Sequence, residues 1–262
     1  MQIQSIARVV EFVRIAGSMA LDAQRGTIER SYKRDGSVLT GIDRRVEDYL
    51  FGEISRLYPA ANVITEETVR FFDPARPYTF AVDPIDGTDV FSQGMAGWCV
   101  SVGLLDRRLA PIAGVVFAPH LDLLVLADVG KRPAVNEREI APRGTVDPIS
   151  ARTNLMVSSG IHKLASFASF PGKIRSIGSA ALHICFPVIY PGVAGSVQRG
   201  GSHIWDIAAA HAVNLSHGFC VEYLGGETID YAGMVDGSRA TGPILSGPRP
   251  VVDALRAILT KT

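Results

Sequence analysis

The sequence predicts a mixed α/β or α+β fold in which helices and sheets are layered on one another. Apolar residues recur at helical spacing near the N-terminus and in later segments, which indicates amphipathic helices. Between them, short apolar and β-branched runs bounded by turn residues indicate strands. The chain has 262 residues, 47% of them hydrophobic, so it can bury a large core in one domain or in two lobes.

The first half begins with two predicted helices and continues with strands. Helical spacing of apolar residues predicts a helix over residues 3–21, and a second helix is expected after Asp43 and before Pro59. The predicted strands are "TFAV" (79–82), "WCVSVGLL" (98–105), "PIAGVVFAP" (111–119) and "LDLLVLAD" (121–128). We expect these long strands to pair in antiparallel fashion.

A polar, proline-bearing segment, residues 131–152, separates the two halves. Its composition fits either a hairpin or a seam between lobes. The second half alternates strand-like and helix-like segments, in the order 153–160, 177–192, 202–218 and 219–226. This order predicts an N-terminal α+β lobe over 1–145 and a C-terminal α/β lobe over 146–262.

The charge balance disfavours nucleic acid and anionic membranes as partners. Lys plus Arg and Asp plus Glu number 26 each, which leaves no basic surplus. The basic runs at 30–34 and 106–108 are expected to be solvated loops. The N-terminal segment is amphipathic, unlike a signal peptide, and no run has the roughly 20 apolar residues of a membrane span.

The three cysteines are scattered in apolar stretches. An odd number without ligand spacing predicts reduced thiols in a cytoplasmic protein, not a disulfide framework or a zinc site.

The stretch "AVDPIDGTDVF", residues 81–91, places two aspartates three positions apart beside a glycine and a threonine. Three interpretations compete: a covalent aspartyl-phosphate site, a metal site, and a plain Asp-Gly turn capped by Thr88. The covalent interpretation fails, because the D-x-D-G-T pattern of such enzymes puts Pro84 at the nucleophile position.

The metal and turn interpretations both stay open from these residues alone. Asp83 follows an apolar run, Asp86 could point to the same side, and the Ile85 carbonyl lies between them. Oxygen ligands of this kind suit Mg²⁺. An Asx turn uses the same residue types.

Other acidic residues could join such a site. Glu66 and Glu67 in "VITEET" follow another apolar run, and Asp206 in "IWDIAAA" opens a predicted helix, where the helix dipole stabilises a carboxylate. Thr40 and Asp43 precede the second predicted helix. The alternatives are a solvated loop for the glutamates and helix caps for the aspartates.

Taken in order, these motifs resemble those of the inositol monophosphatase family. They are Asp43, Glu66-Glu67, Asp83-Pro84-Ile85-Asp86-Gly87-Thr88 and Trp205-Asp206-Ile207-Ala208-Ala209. The family is part of a superfamily of Mg²⁺-dependent, lithium-sensitive phosphomonoesterases that includes fructose-1,6-bisphosphatases and bisphosphate nucleotidases. The resemblance runs from about Lys33 to the C-terminus. It implies a layered αβαβα sandwich and a phosphoric monoester hydrolase.

The resemblance also implies a set of metal ligands. Glu66, Asp83 and the Ile85 carbonyl would hold a first Mg²⁺, and Asp83, Asp86 and Asp206 a second. A third, weaker ion would rely on Glu66, so that each site takes two or three ions. The N-terminal lobe would then carry most ligands, and the C-terminal lobe would carry Asp206.

For catalysis, the resemblance implies in-line attack by a metal-activated water without a covalent intermediate. Thr88 and Asp43 would orient and deprotonate that water, with Glu66 close by. The Gly87 and Thr88 amides would hold the phosphate.

Substrate contacts are implied at two places. Gly178, Ser179 and Ala180 resemble the turn of the family that contacts substrate hydroxyls, although they also suit a helix start rich in small residues. Arg199 stands where the family usually has a hydroxyl-binding glutamate, which favours a more anionic substrate. His203, just before the Trp-Asp pair, is expected to be structural.

The implied protein is a cytoplasmic homodimer acting on a small-molecule phosphate ester, either an inositol monophosphate-type compound or a sugar phosphate. The alternatives are fructose-1,6-bisphosphatase, bisphosphate nucleotidase or histidinol-phosphatase specificity. A non-catalytic regulatory protein that retains the fold is the rival from another class. A Ca²⁺-binding module is disfavoured, since no twelve-residue acidic loop is present.

Overall fold

The computed structural model describes residues 6–26, 28, 30–32, 38–68, 71–145 and 147–260. The helices are α1 (Ile6–Gln24), α2 (Gly41–Leu57), α3 (Thr88–Ser92), α4 (Ala180–Ile189), α5 (Ile204–Ser216) and α6 (Arg249–Leu259). The strands are β1 (Arg30–Tyr32), β2 (Val38–Thr40), β3 (Ala61–Thr65), β4 (Tyr78–Asp86), β5 (Cys99–Asp106), β6 (Pro111–Ala118), β7 (Leu123–Asp128), β8 (Ala134–Val135), β9 (Arg138–Glu139), β10 (Asn154–Val157), β11 (Lys173–Arg175), β12 (Val193–Gln198), β13 (Cys220–Tyr223) and β14 (Ile244–Gly247). The start of the first predicted helix, residues 3–5, and Lys33 and Arg34 of the basic run lie outside the described residues.

Two main sheets form the framework. The first has seven strands in the order β3-β4-β5-β6-β7-β8-β9, and the second has five in the order β11-β10-β12-β14-β13. In the first sheet β3 and β4 are parallel, and β4 to β7 pair antiparallel, as predicted. The hairpin β8–β9 occupies part of the polar segment 131–152, so the hairpin interpretation of that segment is confirmed.

The helices form three layers around these sheets. Helices α1 and α2 pack on one face of the seven-stranded sheet, and α4 and α5 lie between the two sheets. Helix α6 covers the outer face of the five-stranded sheet. The order of layers is therefore αβαβα, which confirms the predicted fold class. The division into lobes 1–145 and 146–262 stays a prediction.

Helix α2 begins earlier than the sequence predicts. Thr40, not Asp43, is its N-cap, and Asp43 occupies the third position of the helix, where it completes a capping box with Thr40. The reason is that a capping box needs its acid three residues inside the helix, where the carboxylate can reach back to the cap N–H. Asp43 is fully buried there.

A pair of glycines lets α5 lie very close to the seven-stranded sheet. Gly103 on β5 is the register partner of Gly114 on β6. A Cβ at Gly103 would lie 2.6 Å from the Ala208 Cβ, and one at Gly114 would lie 2.4 Å from the Ala209 carbonyl oxygen. Since a larger residue would collide with α5, the glycines set its distance from the strands.

Cys99, Cys185 and Cys220 are free thiols, as predicted. Every helix in the described part of the chain is too short or too polar to cross a bilayer.

Candidate active site

A bulge at the end of β4 turns Asp83 and Asp86 to the same side. Asp83 is the register partner of Ser101, and Asp86 is the register partner of Cys99. The two aspartates are three residues apart on β4, whereas their partners are two residues apart on β5. Without the extra residue, side chains three apart would point to opposite faces of the sheet. The Ile85 N–H also donates to Asp83 Oδ1 at 3.0 Å. The sequence left an Asx turn and a carboxylate pair as alternatives, and the structure contains both.

Helix α5 brings a third carboxylate to this pair. Asp83, Asp86 and Asp206 each offer a carboxylate oxygen within 4.8 Å of the others. Asp206 is the third residue of α5, and its Oδ2 accepts the His203 N–H at 2.7 Å. Asp206 is therefore both part of a helix cap and part of the carboxylate cluster.

The cluster lies in a cavity of about 500 Å³, which we call the carboxylate cavity. Its acidic lining residues are Glu66, Asp83, Asp86, Asp89 and Asp206. Its other lining residues are Arg30, Tyr32, Val38, Ile85, Gly87 and Thr88. The structure therefore brings all five predicted metal-binding residues to one cavity, together with Gly87 and Thr88.

The pKa values of the clustered carboxyls show how crowded they are. Burial raises the pKa of Asp83 well above its usual range, and the charges of Glu66, Asp86 and Asp206 raise it further. Burial likewise raises the pKa of Asp206, and Asp86 and Glu66 add to the effect. Three carboxylates so close together repel one another unless a proton or a cation lies between them.

Asp86 is fixed by the first turn of α4. Its carboxylate accepts hydrogen bonds from the Ser179 hydroxyl and from the amides of Ala180 (3.2 Å) and Ala181 (2.7 Å). Burial raises the pKa of Asp86, and these hydrogen bonds oppose the shift. The Cys99 thiol, 3.8 Å from Asp86 Oδ2, completes this environment.

The predicted substrate-contacting turn thus lies behind Asp86. Ser179 is fully buried and caps α4 by accepting the Leu182 N–H at 3.0 Å. Gly178 packs on α3, where an added Cβ would lie 2.5 Å from a Val90 methyl carbon. The small-residue helix start that the sequence allowed is therefore present. Direct contact of Gly178, Ser179 and Ala180 with substrate stays a prediction.

Thr88 and Asp43 lie in one hydrogen-bond chain. The Thr88 hydroxyl is 3.1 Å from Asp43 Oδ1 and 3.0 Å from the Ile85 carbonyl oxygen. Asp43 Oδ2 accepts the Thr40 N–H at 2.9 Å and the Thr40 hydroxyl at 2.5 Å. Burial raises the pKa of Asp43, and the hydrogen bonds from Thr40 and Thr88 oppose the shift.

The sequence analysis missed Glu47, which positions the Glu66–Glu67 turn. Glu47 is buried on α2, and its Oε2 accepts the Glu67 N–H at 2.6 Å. A signal was present, because Glu47 lies four residues after Asp43 and therefore on the same face of α2.

Arg199 and His203 are not among the described residues that line the carboxylate cavity. The Arg199 N–H donates to Ser158 Oγ at 3.0 Å, and an added Cβ at Gly160 would lie 2.9 Å from Arg199 Nε. Contact of Arg199 with substrate stays a prediction. His203 stacks on Trp205 with 4.6 Å between ring centroids, in agreement with a structural role.

The prediction of a solvated loop at residues 30–34 was wrong for its described part. Residues 30–32 form β1, which pairs with β2, and Arg30 and Tyr32 line the carboxylate cavity. The strands have only three residues each, and those of β1 are all exposed, so they give no hydrophobic pattern.

Solved structures share the complete fold. The extragenic suppressor protein SuhB from Bartonella henselae has a TM-score of 0.83 at 22% identity, with 97% of each chain covered. The IMPase of Thermotoga maritima has a TM-score of 0.83 at 21% identity, with 97% of this chain and 96% of that chain covered. The fold is therefore that of the SuhB and inositol monophosphatase structures.

The sequence relationship is more specific. The profile described as the inositol monophosphatase family matches residues 2–247, and the chain belongs to that family. It is 28% identical over 232 residues to the 3'(2'),5'-bisphosphate nucleotidase CysQ of Buchnera aphidicola subsp. Acyrthosiphon pisum, covering 86% of each protein. It is 29% identical over 228 residues to inositol monophosphatase 2 of Saccharomyces cerevisiae, covering 78% of this chain and 76% of the yeast protein. The expected family and the expected enzyme class, a phosphoric monoester hydrolase, are confirmed.

Proposed function

We propose that this chain is a Mg²⁺-dependent phosphomonoesterase of a small phosphorylated metabolite. The observation that carries the proposal is the cluster of Asp83, Asp86 and Asp206 oxygens within 4.8 Å of one another. An all-oxygen donor set suits a hard cation. Burial raises the pKa of Asp83 and Asp206, and the neighbouring carboxylates raise it further; a dication would relieve that repulsion.

The proposal assigns two ions to these residues. Glu66, Asp83 and the Ile85 carbonyl would hold one, and Asp83, Asp86 and Asp206 the other, with Glu66 serving a weaker third. When bound, Mg²⁺ acts as a Lewis acid that neutralises phosphate charge and makes bound water more acidic. The ligands come from both β4 and α5, so the relative position of these elements determines the site.

The chain's own hydroxyl and carboxyl groups supply the proton path. Because Thr88 Oγ1 is a hydrogen-bond neighbour of Asp43 Oδ1, it can accept a proton from a water in the carboxylate cavity while passing its own to Asp43. Burial raises the pKa of Asp43, which makes this carboxylate a better proton acceptor than an exposed one. Glu66 lines the same cavity and is a second acceptor.

The backbone at Gly87 and Thr88 is suited to hold the phosphate. Gly87 has a φ of 98° and directly precedes α3, and both residues line the carboxylate cavity. Glycine adopts this left-handed φ without strain, so the turn before α3 can present these amides to a phosphate.

The substrate is proposed at the level of class. An inositol monophosphate-type or sugar phosphate remains the first candidate, and the CysQ relative supports bisphosphate nucleotidase specificity as the second. Fructose-1,6-bisphosphatase and histidinol-phosphatase specificity complete the alternatives. A regulatory protein without activity has no physical need for polar groups that converge on one cavity. Lithium sensitivity, a homodimer and a cytoplasmic location are part of the proposal.

The test is phosphate release from inositol 1-phosphate, fructose 1,6-bisphosphate, histidinol phosphate and adenosine 3',5'-bisphosphate. Each is assayed with Mg²⁺, with EDTA, and with Mg²⁺ plus Li⁺. We expect release that needs Mg²⁺ and decreases with Li⁺. Release that persists in EDTA would contradict the metal assignment, and no release from any compound by Mg²⁺-loaded protein would favour the regulatory alternative.

A further inference from the structure

One face of the β1–β2 ribbon forms part of the carboxylate cavity. Tyr32 is the register partner of Val38, and Arg30 is that of Thr40. Since side chains alternate along a strand and directly opposed residues share a face, Arg30, Tyr32 and Val38 point to the same side. All three line the carboxylate cavity, which confirms that this face is turned towards the carboxylates.

The Tyr32 ring on this face is open to water. It is 70% exposed, and among the described residues it makes no hydrogen bond and no ring contact. Val38, directly opposite, is only half-buried. Burial of a flat aromatic surface and the aliphatic side chain beside it is most favourable when another flat apolar surface covers both.

The rest of the lining of the carboxylate cavity is polar apart from Gly87 and Ile85, and Ile85 is fully buried. Arg30 is anchored by two hydrogen bonds, from Nε (3.1 Å) and Nη2 (2.6 Å) to the Ser92 carbonyl oxygen. The carboxylates and Thr88 occupy the proposed phosphate end. The Tyr32 and Val38 pair therefore provides the apolar surface available to the organic part of a substrate. A cyclitol or a sugar offers this surface only a puckered C–H face edged with hydroxyls, which covers an aromatic ring less well than a planar ring does.

We propose that Tyr32 is a specificity-determining residue that stacks on a planar aromatic ring in the organic part of the phosphate ester. This inference rests on the proposed function of the same cavity. Within the substrate classes of the proposed function, it shifts the preference from the first candidate, a cyclitol or sugar phosphate, to the alternatives that carry a purine or an imidazole. Val38 would contact the edge of the same ring.

The experiment compares kcat/KM for adenosine 3',5'-bisphosphate, histidinol phosphate and inositol 1-phosphate in the wild type, Tyr32→Ala and Tyr32→Phe. We expect Tyr32→Ala to lower kcat/KM about tenfold for the ring-bearing ester that the enzyme uses, as stacking on an aromatic side chain predicts. Inositol 1-phosphate should change less than about twofold, since its puckered and hydroxylated ring covers Tyr32 less well than a planar ring. Tyr32→Phe should restore the wild-type value. The two ring-bearing esters distinguish a purine from an imidazole.

Phe71→Ala is the matched control. Phe71 is 89% exposed and is not among the residues that line the carboxylate cavity. Its removal should leave all three kcat/KM values unchanged. If Tyr32→Ala lowered kcat/KM by the same factor for all three substrates, or lowered it for none of them, the inference would be wrong while the proposed function remained.

Binding of adenosine 5'-phosphate, measured by calorimetry, separates the two proposals. This compound retains the ring and a phosphate, and its binding does not require turnover. If the wild type released no phosphate from any ester, the proposed function would fail. A Kd about tenfold weaker for Tyr32→Ala than for the wild type would still support stacking, and equal Kd values would overturn it.

Discussion

At the level of single residues, Asp83 carries the strongest conflict between folding and chemistry. It is buried, and three further carboxyls of the carboxylate cavity raise its pKa. Only the Ile85 N–H is a described donor to it. Without a cation, ionising Asp83 therefore costs more free energy in the folded chain than in the unfolded chain.

Replacing Asp83 with Asn should abolish activity and stabilise the metal-free protein at pH 7. The pKa of Asp83 is raised in the folded state, so its destabilising effect is complete above the folded pKa. The effect disappears as the pH falls towards the unfolded value of 3.8. Urea unfolding in EDTA should show the variant more stable at pH 7, with the difference shrinking on acidification.

Asp89→Asn provides the control for this comparison. Asp89 lines the same cavity but is exposed, so its replacement should alter the unfolding free energy by less than about 0.5 kcal/mol. An Asp83→Asn variant that was less stable than the wild type in EDTA, or that kept substantial turnover, would contradict the assignment.

The resemblance of the motifs to the inositol monophosphatase family was sufficient to identify the candidate carboxylates, whereas the residues that support them were not identified. Asp83 and Asp86 are separated by one bulge, and local sequence shows both. The Ser179 hydroxyl that binds Asp86 comes from a position 93 residues away. Contacts at such separation depend on the packing of α4 against β4, which no local pattern encodes.

At the level of elements, the approach of α5 to β5 and β6 determines where Asp206 lies. The Gly103 and Gly114 pair leaves no space between strand and helix backbone. The Ser101 hydroxyl also donates to the Trp205 carbonyl oxygen at 3.3 Å, at the start of α5. A shift of this helix would move Asp206 away from Asp83.

Gly114→Ala should therefore destabilise the protein and weaken Mg²⁺ binding. The added Cβ would lie 2.4 Å from a backbone oxygen of α5, so the helix must move. Overpacking of this kind costs about 1–3 kcal/mol. The measurements are the free energy of unfolding in urea, which should fall, and the Mg²⁺ concentration for half-maximal phosphate release, which should rise.

Gly52→Ala is the matched substitution at an open position. An added Cβ at Gly52, in the middle of α2, would meet nothing within 4 Å. It should raise the unfolding free energy by up to about 1 kcal/mol through helix propensity, without altering Mg²⁺ dependence. Equal stability of Gly114→Ala and the wild type would show that α5 is free to move.

Long elements were predicted well and short ones poorly. The first helix and strands β4 to β7 have clear periodic patterns, and each was predicted within a few residues. The β1–β2 ribbon was missed because its three-residue strands gain their pairing from each other and carry an exposed arginine and tyrosine. The start of α2 was misplaced because Thr40 and Asp43 are both good capping residues.

At the level of the whole molecule, the carboxylate cavity depends on every inner layer. The seven-stranded sheet supplies Asp83 and Asp86, and the middle helices supply Asp206 and the support of Asp86. Within α4, buried His183 accepts the Ile177 N–H at 2.9 Å through Nε2 and lies 3.5 Å from Gln198 Oε1 on β12. This contact links the five-stranded sheet to the turn that carries Ser179.

His183 should make the protein acid-sensitive. Burial lowers its pKa from 6.5 to about 4, so between these values the unfolded chain binds a proton that the folded chain does not. The unfolding free energy should therefore fall as the pH drops through this range, by up to about 3 kcal/mol from this ring.

Urea unfolding of the wild type and His183→Gln between pH 7 and 4.5 is the measurement. The carboxylates contribute equally to both proteins and cancel in the difference. The wild type should be the more stable protein at pH 7, and its advantage should decrease with acidification. Parallel stability curves would show that folding does not change the pKa of His183.

The order of predicted elements indicated that helices and sheets are layered, and the resemblance to the family supplied the αβαβα order. The position of Arg199 relative to the carboxylate cavity was not predictable. It follows β12 directly, and its side chain packs over Gly160, a contact set by the approach of two loops. Alignment with a family motif assigns a position in the chain, whereas the direction of a side chain depends on packing.

The separation of the carboxylates along the chain has a consequence for biosynthesis. Nearly half of the polypeptide is translated between Asp86 and Asp206. At the usual speed of a ribosome, this takes on the order of ten seconds. During that interval β4 presents two acids whose partners at the start of α4 are made only towards its end, and whose partner on α5 is made last. A nascent chain therefore cannot use the completed ion site to guide its first strands, and capture of the ion that needs Asp206 can only follow the arrival of α5.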